Sequence, residues 1–566
     1  MRRRERPFKG GLTRVGPLVA LSALGFLILG GPTIADDLPR TATIAGIAHA
    51  AGPAGPADPA HGPLAAVATT TATPAAAVSA MPGQRPQRVR PSPRREPSVG
   101  GDRSPAPAAA LETNIGTMLE ARVRNGDWGV MVVSLTRGDT LYSRSAGELF
   151  APASTMKLFT AALALDRFGP DYHFSTEVLR DGQLLGGGFV NGHLYLRGGG
   201  DPAFSNRFLR GDADIPLELL ARFVVDAGIT HVQGDVIADA SAFEERRIPE
   251  GWSARNLGYG YAAPVSALSV NENVMWVTVH PPSAGGGTPR GEIEPSSSVM
   301  TLHNAVKTRA GSRGGNIVVR RTGDNELEVR GWIGTRSIPR RYQVVIREPA
   351  LFTAGAFRDA LAEQGITIEG NVRLGRTPAN AVRVAALPSP PLARLLSVMN
   401  RESVNHYAEL IFRNAARGPQ KEGIGSAEHA YADLSRFMTT KVGAERGSVY
   451  ATDGSGLSTL DKVTPRALIQ LLAYSHAAPW ASTFHASLPV AGESELLRNR
   501  MRSTAAQGNL HAKTGTTSSV ISLAGYTTAL NGEVIAFAFL YNGRDRWRAR
   551  ETIDRMGATL ASFVRE

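Results

Sequence analysis

The sequence contains no cysteine, and this absence removes several kinds of chemistry at once. A thiol nucleophile, a disulfide framework and a zinc site with thiolate ligands are all excluded. Lysine is also scarce: only seven of the 62 lysine and arginine residues are lysine, so arginine is the default cation of this chain. A guanidinium stays protonated, whereas a crowded or buried ammonium can lose its proton. A lysine inside a motif therefore indicates a need for a base.

The signatures of several other enzyme classes are missing as well. There is no His-Glu-x-x-His metal motif and no phosphate-binding P-loop, and Asp453-Gly454-Ser455-Gly456 misses the first glycine of a nucleophile elbow. His406 and His511 stand beside motifs described below, and we interpret each as a local hydrogen-bonding residue. We predict neither a metal ion nor a cofactor.

The first 35 residues have the features of an export signal. Six basic residues precede an apolar run from Leu18 to Leu29, and Thr33-Ile34-Ala35 follows as a small-residue cleavage site. The run is about a dozen residues long, which is shorter than the roughly 20 that a spanning helix needs. We predict cleavage after Ala35 and a periplasmic or otherwise extracytoplasmic protein. Retention as an uncleaved membrane anchor is the alternative.

Residues 36–112 are rich in alanine, proline, glycine, serine and threonine, a composition that predicts a disordered linker. The first 110 residues carry 13 Lys/Arg against 6 Asp/Glu, so they supply most of the net charge of +12. The arginines of the linker could hold anionic cell-envelope polymers or lipid headgroups in a peripheral association. A solvated linker without a partner is the alternative, and we predict no nucleic-acid partner.

Three short strings carry the candidate chemistry, and each occurs once. In chain order they are Ser154-Thr155-Met156-Lys157, Ser403-Val404-Asn405 and Lys513-Thr514-Gly515-Thr516. Ser154 opens a predicted apolar helix that ends before Gly169, and a spacing of three places Lys157 on the same helix face, within reach of the Ser154 hydroxyl. Burying a lysine is costly without a purpose. We therefore predict Ser154 as a nucleophile and Lys157 as its base.

The other two strings are predicted to border the same site. Ser403-Val404-Asn405 lies between two helical stretches, at a helix junction. Lys513-Thr514-Gly515-Thr516 leads into a predicted hairpin that turns at Asn531-Gly532, so this string lies at the edge of a sheet. Gly515 would let a substrate chain approach the strand closely, and Lys513 with the Thr514 and Thr516 hydroxyls would hold a carboxylate.

Together the three strings resemble the D-alanyl-D-alanine carboxypeptidase/endopeptidase family, the class C low-molecular-mass penicillin-binding proteins. The strings Gly198-Gly199-Gly200-Asp201-Pro202 and Asp453-Gly454-Ser455-Gly456-Leu457-Ser458 are similar to strings common in that family. The resemblance covers roughly residues 113–566. It implies an α+β, penicillin-recognising serine transpeptidase/β-lactamase-like fold, an antiparallel sheet flanked by helices, with two nested inserted domains.

The long gap between the first two motifs sets the expected domain organisation. The resemblance implies a catalytic domain over 113–175 and 381–566, an inserted domain II over 176–255 and 336–380, and a nested domain III over 256–335. Strand and helix signals inside the gap support separate folded units. The sequence does not indicate what the inserted domains do.

The resemblance also implies a reaction on peptidoglycan stem peptides. Ser154 would attack the D-alanyl-D-alanine bond with Lys157 as base, and backbone N–H groups of Ser154 and Thr516 would form the oxyanion hole. Ser403, Asn405 and Lys513 would relay the proton and position the peptide. Water would then release the acyl group, giving carboxypeptidase or D,D-endopeptidase activity, and β-lactam antibiotics would inhibit.

One residue departs from the family pattern. The Asp-Gly-Ser-Gly-Leu-Ser string is often followed by an arginine associated with the far end of the stem-peptide side chain, but here Thr459 occupies that place. A preference for diaminopimelate is therefore not predicted. Asp201 is interpreted as a turn residue beside Pro202, and a position near that pocket is the alternative. The alternatives to a peptidase are a β-lactamase or esterase of the same fold, or a catalytically weak peptidoglycan-binding scaffold.

Overall fold

The computed structural model describes residues 109–122, 125–282, 287–421 and 423–565. The predicted signal peptide and most of the predicted linker lie outside these residues. The helices are α1 Ala109–Arg122, α2 Met156–Phe168, α3 Ile215–Asp226, α4 Pro349–Glu363, α5 Leu392–Arg401, α6 Asn405–Arg417, α7 Ala427–Thr440, α8 Pro465–Ala477, α9 Ala481–Ala486 and α10 Arg546–Ala561.

The strands alternate with these helices along the chain. They are β1 Gly126–Ser134, β2 Thr140–Arg144, β3 Ser175–Arg180, β4 Gln183–Leu185, β5 Phe189–Asn191, β6 Leu194–Gly198, β7 His231–Val232, β8 Val236–Asp239, β9 Val274–His280, β10 Arg290–Glu294, β11 Thr301–Arg309, β12 Gly315–Arg321, β13 Glu326–Gly334, β14 Arg340–Val345, β15 Thr367–Ile368, β16 Val372–Leu374, β17 Val382–Pro388, β18 Val449–Tyr450, β19 Lys462–Val463, β20 His511–Thr516, β21 Val520–Thr528 and β22 Val534–Gly543.

A five-stranded antiparallel sheet joins the two ends of the described chain. Its order is β2-β1-β22-β21-β20, so the first hairpin pairs with the last one across more than 400 residues of sequence. Strands β1 and β2 form a hairpin around Arg137-Gly138-Asp139, and the strands predicted on either side of Asn531-Gly532 are present as β21 and β22. Strand β20 lies at one edge, as predicted from the hairpin that follows it.

Helices cover both faces of this sheet. On one face, α1 and α10 bury Leu111, Ile115, Leu119, Ile553 and Met556 against the sheet. On the other face, α2 is buried along most of its length among the other helices of a larger apolar cluster, α5 to α9. Because α2 is enclosed on all sides, its first turn has a single, tightly defined position at the middle of the catalytic unit.

The part of the chain between α2 and α5, called the inserted part below, builds its own sheets. Strands β16-β8-β6-β3-β17 form a five-stranded sheet and β15-β7-β5-β4 a smaller one, with helices α3 and α4 packed beside them. Within it, the nested part runs from β9 to β14 and has two three-stranded sheets, β10-β9-β14 and β11-β13-β12. One continuous apolar cluster runs through both parts, so their cores are shared.

The sheet pairings bear on where the inserted units begin and end. Strand β14 follows residue 335 yet pairs with β9, and β17 follows residue 381 yet pairs with β3. Register over a long gap is not visible in local sequence, so these pairings could not be predicted from it. The domain limits stay predictions.

Within the described ranges, no helix combines the length and the apolar character that are needed to cross a membrane.

A first prediction concerns α1. A chain that begins at residue 109 should unfold cooperatively with the stability of the full chain, because the buried contacts of the sheet begin there. A chain that begins at residue 125 should lose at least about 4 kcal/mol of unfolding free energy, since three large apolar side chains lose their burial. Urea denaturation measures both. Failure of the 109-start chain to unfold cooperatively would place the linker inside the fold.

Candidate active site

Ser154 lies in a tight turn that is held against the edge strand. The turn is a single 3₁₀ turn, Ala153–Thr155, and α2 begins two residues after Ser154, at Met156. The Ser522 hydroxyl of β21 donates to the carbonyl of Pro152 at 2.7 Å. A Cβ on Gly515 would lie 2.1 Å from the Ser522 Oγ and 2.7 Å from the Pro152 oxygen, so only glycine allows β20 to approach the turn this closely.

Lys157 is fully buried and bonds three oxygen atoms. Its Nζ lies 3.0 Å from the Ser154 Oγ, 2.7 Å from the Asn405 Oδ1 and 2.8 Å from the Ser455 carbonyl oxygen. The amide and carbonyl oxygens can only accept hydrogen bonds. A neutral lysine would therefore donate its two N–H groups to Asn405 and Ser455, and its lone pair would face the Ser154 hydroxyl.

The orientation of the Asn405 amide follows from a second contact. Its Nδ2 donates to the backbone carbonyl of Tyr261 at 2.8 Å. Since a carbonyl accepts and does not donate, the NH₂ end must face Tyr261 and the oxygen end must face Lys157. Tyr261 belongs to the inserted part of the chain, so that part helps to orient an active-site amide.

Burial sets the protonation of Lys157. Loss of solvation lowers its pKa to about 8, and the negative potential of Asp453, Glu409 and Asp461 acts in the opposite direction. None of these carboxylates forms a direct hydrogen bond with Lys157 in the described contacts. A lysine with this pKa can lose a proton near neutral pH and act as a base.

Ser403 and Lys513 form a second hydroxyl–lysine pair in the same site. The Lys513 Nζ lies 3.0 Å from the Ser403 Oγ and 2.9 Å from the Thr514 carbonyl oxygen, and the side chain is fully buried. Burial first, and then the charge of Lys157, lowers the pKa of Lys513 well below its ordinary value. Ser403 has a φ of 61° at the junction of α5 and α6, a conformation that points to local strain at this position.

The loop that supplies the Ser455 carbonyl is organised by one buried carboxylate. Asp453 accepts hydrogen bonds from the backbone N–H groups of Ser455 at 2.9 Å, Gly456 at 2.6 Å and Ser458 at 2.7 Å. Gly456 has a φ of 80°, and a Cβ there would lie 1.8 Å from the Ala153 carbonyl oxygen. The loop therefore packs directly against the Ser154 turn.

Two residues of the inserted part also form hydrogen bonds with this loop. The Trp252 indole N–H donates to the Asp453 Oδ2 at 2.8 Å, and the Ser458 hydroxyl donates to the Glu250 carbonyl at 2.7 Å. The Asp453 string is recognisable in the sequence, but neither Trp252 nor Tyr261 was predicted as a site residue. An Asp followed by small residues signals a turn, whereas no local signal marks the tryptophan that contacts it from 201 residues away.

A set of buried acids lies behind Lys157, and the sequence patterns did not predict it. Glu409 is fully buried, accepts from the Gly454 N–H at 3.2 Å and pairs with Arg413 at 2.7 Å. Burial raises the pKa of Glu409 to about 7. Burial, and then the charge of Asp453 and a hydrogen bond with it, raises the pKa of Asp461 well above its ordinary value.

Of the other residues singled out in the sequence, Thr514 and Thr516 lie beside the Ser154 turn, whereas Thr459 and Asp201 form hydrogen bonds with nearby backbone groups. Thr514 is buried and Thr516 is exposed at the end of β20, next to the Ser154 turn. The Thr459 hydroxyl donates to the Gly251 carbonyl oxygen at 3.3 Å, and its backbone N–H donates to the same oxygen at 3.4 Å. Asp201 accepts from the Ala203 N–H at 2.8 Å, which is a turn contact. The structure brings the five predicted catalytic residues, Ser154, Lys157, Ser403, Asn405 and Lys513, into one site.

His406 is buried and His511 is half-buried, and the Nδ1 atom of each has no hydrogen-bond partner among the described residues. Burial lowers the pKa of His406 to about 3, and burial also lowers the pKa of His511. Neither forms a hydrogen bond with Ser154 among the described contacts. A triad of the serine–histidine type is therefore not assembled here.

Comparison with known proteins decides the family. The model of the D-Ala-D-Ala carboxypeptidase 3 (S13) family matches residues 111–563. The chain belongs to this family. A relative from Actinomadura sp. (strain R39), named D-alanyl-D-alanine carboxypeptidase, is 34% identical over 479 residues, which cover 82% of this chain and 86% of the relative. The predicted family and enzyme class are confirmed: the protein is a D-Ala-D-Ala carboxypeptidase.

Further comparisons agree with the fold. D-alanyl-D-alanine carboxypeptidase DacB of Haemophilus influenzae is 24% identical over 435 residues, covering 76% of this chain and 88% of the relative. The crystal structure of penicillin-binding protein 4 (DacB) from that organism superposes with a TM-score of 0.66 at 23% identity, over 79% of this chain and 98% of that one. The α+β, penicillin-recognising fold is therefore confirmed for the carboxypeptidase.

A second prediction tests the hydrogen bond from Trp252 to Asp453 in the catalytic loop. Trp252→Phe keeps an aromatic ring but leaves the buried Asp453 without one of its donors. The carboxypeptidase should lose about 1–3 kcal/mol of unfolding free energy. Its acylation by a penicillin should also slow several-fold, because the loop that holds the Ser455 carbonyl against Lys157 is loosened.

Trp276→Phe in the nested part is the matched control for that experiment. It removes an indole N–H from a half-buried position in β9, and none of the hydrogen bonds described above for the loop involves this residue. Urea denaturation and stopped-flow acylation report the two effects. Equal losses in both variants would show that Trp252 contributes packing alone.

Proposed function

We propose that this carboxypeptidase cleaves the terminal D-alanyl-D-alanine bond of peptidoglycan stem peptides through an acyl-enzyme at Ser154. The observation that carries the proposal is the Lys157 contact set. A buried amine with a pKa of about 8 lies 3.0 Å from the Ser154 Oγ, and its other two partners are acceptors only. This arrangement favours transfer of the serine proton to lysine as the hydroxyl attacks a carbonyl carbon.

The first step forms the acyl-enzyme. The Ser154 Oγ attacks the carbonyl carbon of the penultimate D-alanine, and its proton passes to the Lys157 Nζ. The backbone N–H groups of Ser154 and Thr516 receive the developing oxyanion, which the close approach of β20 to the turn allows. Collapse of the tetrahedral intermediate breaks the peptide bond and releases the terminal D-alanine.

The leaving amine needs a proton, and we assign to the Ser403–Lys513 pair the relay of the proton that Lys157 took from Ser154. The Ser403 hydroxyl lies 3.0 Å from the Lys513 Nζ, in the same pocket as Lys157. The substrate carboxylate would lie along β20 against Lys513 and the Thr514 and Thr516 hydroxyls. A bound carboxylate would favour the charged form of Lys513, which burial disfavours in the free enzyme.

Water completes the cycle by hydrolysing the ester. When the leaving group is free D-alanine the reaction is that of a carboxypeptidase. When it belongs to a cross-linked strand, the same chemistry gives D,D-endopeptidase activity. A β-lactam would acylate Ser154 by the same first step, and a structure of the Haemophilus influenzae protein has been solved in complex with a β-lactam.

The substrate implies a location outside the cytoplasm. Stem peptides are part of the cell wall, and residues 1–35 have the pattern of an export signal. We therefore propose a periplasmic or otherwise extracytoplasmic enzyme. Peripheral association of the basic linker with anionic polymers or lipid headgroups stays a proposal supported by composition.

A third prediction tests the nucleophile and the reaction together. Wild-type protein incubated with a labelled penicillin should keep the label, and it should release D-alanine from a stem pentapeptide. Ser154→Ala should abolish both while changing the thermal unfolding temperature little, because the turn is held by backbone contacts. Mass spectrometry locates the label. Transient label would select a β-lactamase, absence of label would select a scaffold, and label on another serine would overturn the assignment.

A fourth prediction tests lysine as the base. Lys157→Arg keeps a cation near Ser154 but cannot accept a proton, because the guanidinium pKa is above about 12. General-base catalysis is worth roughly 10²–10⁴ in rate, so penicillin acylation should slow by at least about a hundredfold.

The pH profile distinguishes a base from a structural cation. The wild-type acylation rate should rise with pH and level off above about 8, since the neutral fraction of Lys157 grows through its pKa. The acylation rate of the Lys157→Arg variant should not show this rise with pH. Single-turnover rates between about pH 6 and 9 measure both, and a variant within about tenfold of wild type would contradict the base assignment.

A further inference from the structure

The nested part presents one sheet face whose charges are not balanced. In the sheet β11-β13-β12, alternate residues such as Val306, Leu327 and Ile333 point into the apolar core. The opposite face is exposed along all three strands. Its cations are Lys307 and Arg309 on β11, Arg320 on β12 and Arg330 on β13, and its carboxylates are Glu326 and Glu328.

Most of these cations lack a neutralising partner. Glu328 pairs with Arg330 at 2.6 Å. Across the ranges that the structure describes, Lys307, Arg309 and Arg320 have no carboxylate within ion-pair distance. Lys307 and Arg309 are two residues apart on an edge strand, so their backbone positions are about 7 Å apart along it. The unpaired positive charge is therefore concentrated along β11.

The neighbouring sheet of the same unit gives an internal comparison. On β10-β9-β14, Arg290 pairs with Glu292 at 2.9 Å and Arg341 pairs with Glu294 at 2.6 Å. Both sheets also place an arginine over a tryptophan: Arg341 lies 4.4 Å from the Trp276 ring centroid and Arg309 lies 4.7 Å from that of Trp332. The two faces have the same side-chain types, but the β11-β13-β12 face keeps three cations without a carboxylate partner among the described residues.

We propose that the exposed face of β11-β13-β12 binds an anionic wall polymer with a phosphodiester backbone. An extended chain of repeated negative charges complements a row of unpaired cations along one strand. The proposal takes its setting from the extracytoplasmic location given above, and it does not depend on the chemistry at Ser154. It gives the nested domain a role in holding the enzyme near its substrate.

The composition of the face argues against two other polyanionic partners. Insertion into a bilayer surface needs apolar side chains that enter below the headgroups, and among the residues exposed on these strands Val318 is the large apolar one. Single-stranded nucleic acid is bound by stacking bases on open aromatic faces. Arg309 covers the ring of Trp332, so the face offers guanidinium N–H groups instead.

The test compares two double variants of the full chain. Lys307→Gln with Arg309→Gln removes two unpaired cations, one of them over a tryptophan. Arg290→Gln with Arg341→Gln removes two paired cations, again with one over a tryptophan, and changes the net charge equally. The probe is soluble poly(glycerol phosphate), titrated against each protein at two salt concentrations.

Each cation near an anionic surface contributes about fivefold in affinity, so the first variant should bind the polymer at least about tenfold more weakly and with a smaller salt dependence. The second should stay within about twofold of wild type. Equal effects of the two variants, or no effect of either, would overturn the proposal, since binding would then reside in overall charge or in another segment.

Two further measurements separate the remaining outcomes. Vesicles of phosphatidylcholine and phosphatidylglycerol at 7:3 should bind wild type and the first variant equally. A loss confined to vesicles would identify a lipid surface and would contradict the polymer assignment. Both variants should be acylated by penicillin at the wild-type rate, which checks folding. Ser154→Ala should keep full polymer binding, so failure of the proposed reaction and failure of this site are distinguishable.

Discussion

The structure of the active site depends on burying two ammonium groups in one pocket. Lys157 and Lys513 are both fully buried, and each lies 3.0 Å from a serine hydroxyl. Desolvation drives both toward the neutral form, and the charge of Lys157 adds to this effect at Lys513. The acids behind Lys157 supply negative potential without direct contact. A direct ion pair would hold Lys157 charged, and no acid at all would leave it too weak a base, so this intermediate arrangement keeps it able to exchange a proton.

The inserted part of the chain belongs to this arrangement. Its Tyr261 carbonyl orients the Asn405 amide, and its Trp252 indole completes the shell of donors around Asp453. Asp453 in turn holds the loop whose Ser455 carbonyl receives a lysine N–H. Two of the three Lys157 contacts thus depend on residues that lie outside the catalytic sheet and its helices. An insertion of this kind cannot be removed as a unit without disturbing the base.

Local spacing in the sequence predicts the short-range parts of the active site but not the contacts between distant segments. The Ser154–Lys157 pair follows from helix geometry, and the edge position of Lys513 follows from the hairpin after it. The Trp252 contact, the buried Glu409 and the pairing of β14 with β9 depend on which distant segments meet. The Tyr261 contact is harder still, because a backbone carbonyl has no sequence identity. Register across a long insertion is set by burial of whole faces, which a single strand does not reveal.

The fully buried cations show why lysine and arginine have different uses in this chain. Arg413 is paired with Glu409 at 2.7 Å, whereas the partners of Lys157 and Lys513 are neutral oxygens. A buried permanent charge requires a counter-charge, while a group that can shed its proton does not. Scarcity of lysine alone would mislead, since Lys307 and Lys441 are exposed. The informative property is a lysine in an apolar setting without a carboxylate beside it, because only a titratable cation is stable there.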